Sequence, residues 1–445
     1  MQASDIHHFE LLLLFIMTLV LALAVLARRF ELPYPIVLVA GGLGVSLLPN
    51  VPRVELNPDI IFLVLLPPLL FGAAFHTSWR NFRANIAKIS TMAFGLVGFT
   101  AVAVSFLAGR FIPGFDPRVG FVLGALVAST DPIAATAIAK RMHLPRRIVD
   151  VLEGESLIND ATSLVALEFS VGMLVSDTVP TVSQGVLRLI FLSCGGMVIG
   201  LIAGWLIRRF QLHLTDAPVE ITLTLVAPYV AYLAAESIHT SGVLATVACG
   251  LYLGEKQSES LSARARIEAS AVWNTLDFVL NGIVFALIGL QLPQVIEGIR
   301  GTRLTELALD SAFLIVLLIA LRLAWVFAAS WIAFALRKAI RRRAEPPRAR
   351  ESFLVGWTGM RGVIALAAAM ALPDSIDSGA DFPQRDVLIF LSFVAIIGTL
   401  VLQGLSLPWL IRKLGFQSND LRGSLAAAGR SGSTAHREHT LEDPA

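Results

Sequence analysis

The chain has 445 residues, 56% of them hydrophobic and 15% charged, with a mean hydropathy of +0.73; a soluble domain carries roughly 45–50% apolar and about 25% charged residues. That composition excludes a soluble globular domain and points to a polytopic membrane protein. A formal net charge of +2 gives no reason to expect a nucleic-acid partner, and the two cysteines, Cys194 and Cys249, each inside an apolar run, do not make a disulfide framework.

A helix crossing the hydrocarbon needs about 20 mostly apolar residues, and the sequence predicts thirteen such segments, an all-α architecture. The first, over 9–27, follows an acidic N-terminus and precedes Arg28 and Arg29, the reverse of a cleaved signal peptide, so it is expected to be retained. The others fall at 33–49, 58–77, 85–109, 118–139, 148–174, 185–207, 219–237, a short one at 240–254, 270–292, 308–336, 351–372 and 386–411. Lys and Arg gather in alternate connections, among them Arg28 and Arg29, Lys140 to Arg147, Arg208 and Arg209, and the run from Arg337 to Arg350. The intervening connections hold far fewer, such as Arg53, Arg110 and Arg385. This alternation predicts a multi-pass protein with its N-terminus outside and its C-terminus in the cytoplasm. Residues 416–445 are polar, Gly/Ser-rich and aperiodic, and read as a disordered cytoplasmic tail beyond a membrane domain of residues 1–415. There is no Gly-rich loop followed by a lysine to cradle phosphate, so use of ATP is not expected and no cofactor is implied.

Ionisable residues inside such spans are costly unless paired or hydrated, which makes them the candidates for function. The fifth span contains "VASTDPIAATA". Pro132 removes a backbone donor and pushes Asp131 out of helical dihedrals, so the helix should break there. Asp131 then caps a second half-helix, with Pro132 at its first position and its charge against the positive end of the half-helix dipole. Ser129 and Thr130 add hydroxyls and freed carbonyls at the same point. A Pro-kinked helix with a satisfied cap is the plainer alternative. The twelfth span shows a related interruption, "WTGMRGVIALAAAMALP", where Gly356, Gly359 and Gly362 bracket Arg361, which must find an anion or the carbonyl end of a half-helix. Two interrupted helices seven spans apart fit an inverted repeat of spans 1 to 6 onto spans 8 to 13, the arrangement that places a transport site near the bilayer midplane.

The sixth span carries "EGESLINDATS", with Glu153, Glu155, Asn159 and Asp160 in otherwise apolar helix. Ser156 and Asp160 lie at i and i+4, and Glu155 and Asn159 form a second such pair beside them, so one strip presents oxygen ligands alone. Oxygen donors suit a hard alkali cation, whereas zinc or copper would call for His or Cys. A desolvated carboxylate binds a proton more tightly unless a cation neutralises it, so the two ions compete for one group. Glu155 is expected to pair with Arg361, which leaves Asp160 as the titrating ligand and Asn159 as a neutral orienting amide. One exchangeable negative site implies one proton per monovalent cation. A cation channel would need a continuous ligand-lined pore, and an intramembrane hydrolase would need paired catalytic groups that are not found; both are alternatives of other mechanism.

The stretches "LPPLLFGAAF" at 66–75, "STDPIAATAI" at 129–138, "EGESLINDATS" at 153–163, "LNGIVFALIGLQL" at 280–292 and the twelfth-span motif together resemble the bacterial sodium/proton exchangers of the monovalent cation:proton antiporter family. The resemblance covers nearly all of the membrane domain. It implies the sodium/proton antiporter fold with two crossing interrupted helices, electroneutral exchange of Na⁺ for H⁺, and alternating access in the plasma membrane of a bacterium. It further implies a homodimer among membrane lipid, with spans 1–3 and 7–10 as scaffold and spans 4–6 and 11–13 as the ion-translocating core. By the same resemblance Asp160 binds the ion with Asn159, Ser156 and Thr130 beside it, and Glu155 pairs with Arg361. A K⁺/H⁺ or Li⁺ exchanger of the same fold remains open. One position departs from similar exchangers: an acid commonly follows "LPPLLF", and here the residue is Gly72, with His76 nearby as a possible substitute. Arg322 and Asp277 are further candidates for a functional or structural pair.

Overall fold

The computed structural model describes residues 3–30, 32–49, 58–112, 115–176, 181–299, 301, 303–340 and 346–416. The polar tail expected at 416–445 lies, but for its first residue, outside them. The described chain is helical almost throughout. α1 (Ala3–Arg29), α2 (Tyr34–Ser46), α3 (Pro58–Ile60) and α4 (Leu66–His76) are followed by α5 (Trp79–Ser90), α6 (Val97–Phe111), α7 (Pro117–Ala128), α8 (Ile133–Arg141) and α9 (Arg146–Val175). Next come α10 (Val182–Gln211), α11 (Ala217–Glu236), α12 (Gly242–Ser260), α13 (Ala263–Leu290), α14 (Leu292–Gly298) and α15 (Leu304–Ile340). α16 (Ala349–Trp357), α17 (Val363–Met370) and α18 (Arg385–Lys413) complete the order. Each apolar segment of the sequence coincides with one of these helices or with a consecutive set. Among the described residues, nine helical stretches are long and apolar enough to cross a membrane by length and composition.

Local chemistry sets several boundaries. α7 starts where Asp116 accepts from the backbone N–H groups of Arg118 and Val119 at 2.7 and 2.9 Å, with Pro117 at the first helical position. α10 opens with a capping box between Thr181 and Gln184. Between α3 and α4 the chain makes a π-helical turn over Ile61–Leu65, just before Pro67 and Pro68. Two prolines cannot donate to the preceding turn, so carbonyls there lose their helical partners. The Val64 carbonyl, four residues before Pro68, instead accepts from the Tyr229 hydroxyl of α11 at 3.0 Å. The segment expected at 85–109 begins earlier, because α5 adds an amphipathic start that buries Phe82 and Ile89 while exposing Arg80 and Arg83.

Packing follows residue size. α10 carries Gly196, Gly200 and Gly204 at intervals of four, and this stripe lies on Ser241, Ala245 and Cys249 of α12 and its N-cap. A Cβ at Gly200 would stand 2.7 Å from the Ala245 carbonyl carbon, so the two backbones touch there. Close approach of small residues is a main source of helix adhesion where lipid removes the hydrophobic drive. α12 in turn packs on α4, and α13 on α2; α6 packs on α7, and α7 on α9. The breaks between α7 and α8 and between α16 and α17 face each other inside the bundle, joined by the Asp131 N–H donating to the Met360 carbonyl at 2.8 Å. The two crossing interrupted helices foreseen from Pro132 and the Gly-Arg-Gly stretch are therefore present. Replacing Gly200 by Leu is expected to destabilise the protein by about 1–3 kcal/mol through overpacking, read as a lower Tm in detergent; an unchanged Tm would contradict this contact.

Candidate functional site

Three stretches of chain meet at the site: Ser129–Pro132 between α7 and α8, Thr358–Gly362 between α16 and α17, and the middle of α9. The first break ends α7 at Ala128 and leaves its last carbonyls without intrahelical donors. The second half-helix begins at Ile133, whose N–H donates to Asp131 Oδ1 at 2.8 Å. The N-cap is Pro132, one residue later than the sequence placed it, and Asp131, just outside the helix, accepts from the first amide of α8.

The middle of α9 supplies Glu155, Ser156, Asn159 and Asp160, all buried. Glu155, 1% exposed, receives two hydrogen bonds from Arg322 of α15, at 2.5 Å to Oε1 and 3.0 Å to Oε2. This corrects the expected pairing of Glu155 with Arg361. The parallel two-pronged contact satisfies a buried carboxylate better than a single donor could, and Arg322 reaches it from mid-helix because Gly359 has no side chain: a Cβ there would lie 2.8 Å from Arg322 Nε. Arg361, 2% exposed, takes the other option open to it, with Nη1 3.3 Å from both the Ala128 and Ser129 carbonyls. Its charge therefore answers the negative end of the α7 dipole, while its backbone N–H is held by the Thr399 hydroxyl of α18 at 3.1 Å.

Thr130 ties these groups together. Its hydroxyl accepts from Asn159 Nδ2 at 2.7 Å and from Arg322 Nη1 at 3.4 Å, and donates to Glu155 Oε1 at 3.2 Å. That hydroxyl is committed, and the one that reaches Asp160 belongs to Ser129, which donates to Asp160 Oδ1. Asn159 Oδ1 is buried without a donor among the described residues. The buried charges thus sort by partner. Glu155 has Arg322, Arg361 has the carbonyl end of α7, and Asp131 has the amide end of α8. Asp160, 6% exposed, has one hydroxyl and no ion pair among the described residues.

A cavity of about 470 Å³ reaches this carboxylate. Ser129, Asp131, Ser156 and Asp160 line one wall; Gly72 and His76 of α4 and Asn274, Asp277 and Asn281 of α13 line the other. Lys140 and Glu153 stand at its polar mouth, joined at 2.8 Å. The third acid of the α9 motif is therefore a rim group, half a turn from the buried pair of rows. Arg322 and Asp277 do not pair with each other: one lies in the Glu155 network, the other on the cavity wall. Arg322 carried a signal in the sequence: of the cations in the 37 residues of α15 it is the one in the middle, Arg337 and Lys338 lying in the last turn. Asn274, Asn281 and Thr399 carried none, since neutral polar residues in an apolar run are common.

The Arg322→Ala variant leaves Glu155 a lone buried charge and is expected to cost about 3–5 kcal/mol, read as a fall in Tm in detergent. Arg361→Ala, which strands only carbonyls, should cost less; the reverse order would refute this sorting of charges.

Comparison with known proteins agrees with the geometry. A family model described as sodium/hydrogen exchanger, transmembrane, matches residues 14–413. An uncharacterized Na(+)/H(+) exchanger of Mycobacterium tuberculosis is 35% identical over 396 residues, covering 87% of this chain and 71% of that protein. The sodium, potassium, lithium and rubidium/H(+) antiporter of Bacillus subtilis is 31% identical, covering 89% of this chain and 61% of its own length. The structure of the sodium proton antiporter MjNhaP1 from Methanocaldococcus jannaschii superposes with a TM-score of 0.66 at 19% identity, covering 90% of this chain and 97% of that one, a likeness of fold.

Proposed function

The chain belongs to the sodium/hydrogen exchanger family and is a cation/proton antiporter of the membrane; from that premise we propose that it exchanges Na⁺ for H⁺ at Asp160, one for one. The observation that carries this reading is the sorting of charges around the two helix breaks. Every other buried ion around the two helix breaks has a counter-charge or a helix end, so that cluster is balanced except for Asp160. An ionised carboxylate in that setting is costly until it takes a cation, and a protonated one has no need of it. Either ion neutralises the site and both together do not fit its charge, which makes the exchange electroneutral. We assign oxygens of Ser129, Ser156, Asn159 and the Thr130 carbonyl as the further donors to a hard cation beside Asp160.

The cavity opens beside Lys140 and His76, on the side that the distribution of Lys and Arg assigns to the cytoplasm, so this conformation faces inward. Transport then requires the broken helices and α9 to present Asp160 to the other side. We assign spans 4–6 and 11–13 to the moving core and spans 1–3 and 7–10 to a scaffold. That scaffold forms a homodimer in the bacterial plasma membrane, with the N-terminus outside and the C-terminus in the cytoplasm. Breadth of cation choice is a real alternative, because the Bacillus subtilis relative is named for four alkali cations and Gly72 removes an acid common in similar exchangers.

In everted vesicles, NaCl added to the wild type should collapse an imposed pH gradient, with KCl and LiCl as parallel arms that rank the cations. Asp160→Asn should abolish the response to every cation while its Tm in detergent stays at or above that of the wild type; exchange retained in Asp160→Asn would overturn the assignment. Since the proton competes, the apparent KM for Na⁺ should rise as pH falls.

A further inference from the structure

The wall of the cavity opposite Asp160 holds a second acid that the exchange cycle above does not use. Asp277 sits on the face of α13 that also presents Asn274 and Asn281, three residues before and four after it. Asp277 Oδ1 is buried and has no hydrogen-bond partner among the described residues, and the same holds for Oδ1 of Asn281, a side chain only 8% exposed. Two unpartnered oxygens, one from a carboxylate and one from an amide, therefore lie one helical turn apart on the same wall of the cavity. Buried acceptors left in this way are rare and call for a ligand that can serve both.

The neighbouring helix explains how the acid comes to be there. A Cβ built on Gly72 of α4 would stand 3.1 Å from both Cγ and Oδ2 of Asp277. A side chain at position 72 would displace the Asp277 carboxylate, which occupies the space in which it would lie. The position after "LPPLLF" carries no acid here, and a carboxylate stands against it from α13. His76 does not substitute for it: its Nδ1 is engaged with the Gly72 carbonyl at 2.8 Å. The remaining titratable groups that line the cavity are Tyr34 of α2, Asp131 and Asp160 across it, and at the rim Lys140, which is paired with Glu153, so no ion pair with Asp277 is formed among the described residues.

We propose that Asp277 and Asn281 form a second alkali-cation site on the cavity wall, an entry station that passes the ion to Asp160 and sets the apparent affinity for it. Carboxylate and amide oxygens are the donors a hard monovalent cation selects, and the carboxylate draws cations into a cavity whose rim cation, Lys140, is already paired with Glu153 at 2.8 Å. The station belongs to α13, outside the broken helices, so it stays in place while Asp160 changes sides. This assignment rests on the antiport reading and deepens it.

The test is the apparent KM for Na⁺ of purified protein in proteoliposomes at fixed pH, with the Na⁺-induced rise in Tm as a second measurement. Asp277→Asn should raise the KM about tenfold, as loss of a supporting ligand commonly does, and by a larger factor than any fall in Vmax. Adding Gly72→Glu to Asp277→Ala returns the carboxylate from α4 and should bring the KM back toward the wild-type value. An unchanged KM in Asp277→Asn, or a fall in Vmax and Tm with no change in KM, overturns the station. Should Asp277→Asn fail to fold, Asn281→Ala carries the test: a raised KM supports the station and an unchanged one overturns it. Wild-type protein without exchange, or exchange surviving in Asp160→Asn, defeats the antiport reading instead. In that case a Na⁺-induced Tm rise that is equal in wild type and Asp277→Asn also defeats the station, and one lost in the variant sustains it as a cation site.

Discussion

An acidic side chain in a membrane interior must be neutralised by something, and the described site can be understood as the result of leaving that task open at one position. Asp160 lies where two interrupted helices cross, in reach of water through the cavity, yet with no positive group assigned to it. The surrounding protein is arranged so that this is affordable. Arg322 removes the charge of Glu155, Arg361 meets the carbonyl end of α7, and Asp131 meets the amide end of α8. On the proposed exchange at Asp160, were any of those three compensations absent, the local field would decide its occupancy in place of the ions in solution.

The breaks serve this arrangement in two ways. They free backbone groups that would otherwise be spent within a helix, and they turn half-helix ends toward the middle of the bundle, where a full helix would present only side chains. They also make the crossing narrow, which is why glycine recurs beside Arg361: the Gly359 position is crossed by the stem of Arg322. Thr130 then couples the parts, since one hydroxyl bonds Asn159, Arg322 and Glu155. A movement of either break relative to α9 would have to disturb this hydroxyl. The result is a cluster that moves as a unit or stays put, a property that alternating access requires of an ion site.

Much of this was legible in the chain. Pro132 after Asp131, and the glycines around Arg361, announced the two breaks, because backbone rules act locally and need no knowledge of neighbours. The strip of oxygen ligands on α9 followed from helical spacing alone. Pairing was harder. Arg361 and Arg322 are both single cations in apolar helices, and spacing along one helix says nothing about which of two other helices comes closer to Glu155. The expected partner was therefore wrong, although the second option for Arg361, the end of a half-helix, was the one realised. Ser129 and Thr130 both stood as hydroxyls at the break, and which of them reaches Asp160 was hidden for a similar reason: neighbours at a break point in directions that only the broken backbone determines. The boundary of α5 differed because an amphipathic start is invisible to a search for apolar runs.

The most direct measurement is calorimetry of Na⁺ binding to the detergent-solubilised protein in two buffers of different ionisation enthalpy. If one carboxylate serves both ions, sodium uptake at a pH where Asp160 is protonated releases close to one proton per cation bound, and the observed heat differs between the buffers accordingly. Sodium uptake with the same heat in both buffers, meaning no proton leaves as the cation enters, would contradict the shared site.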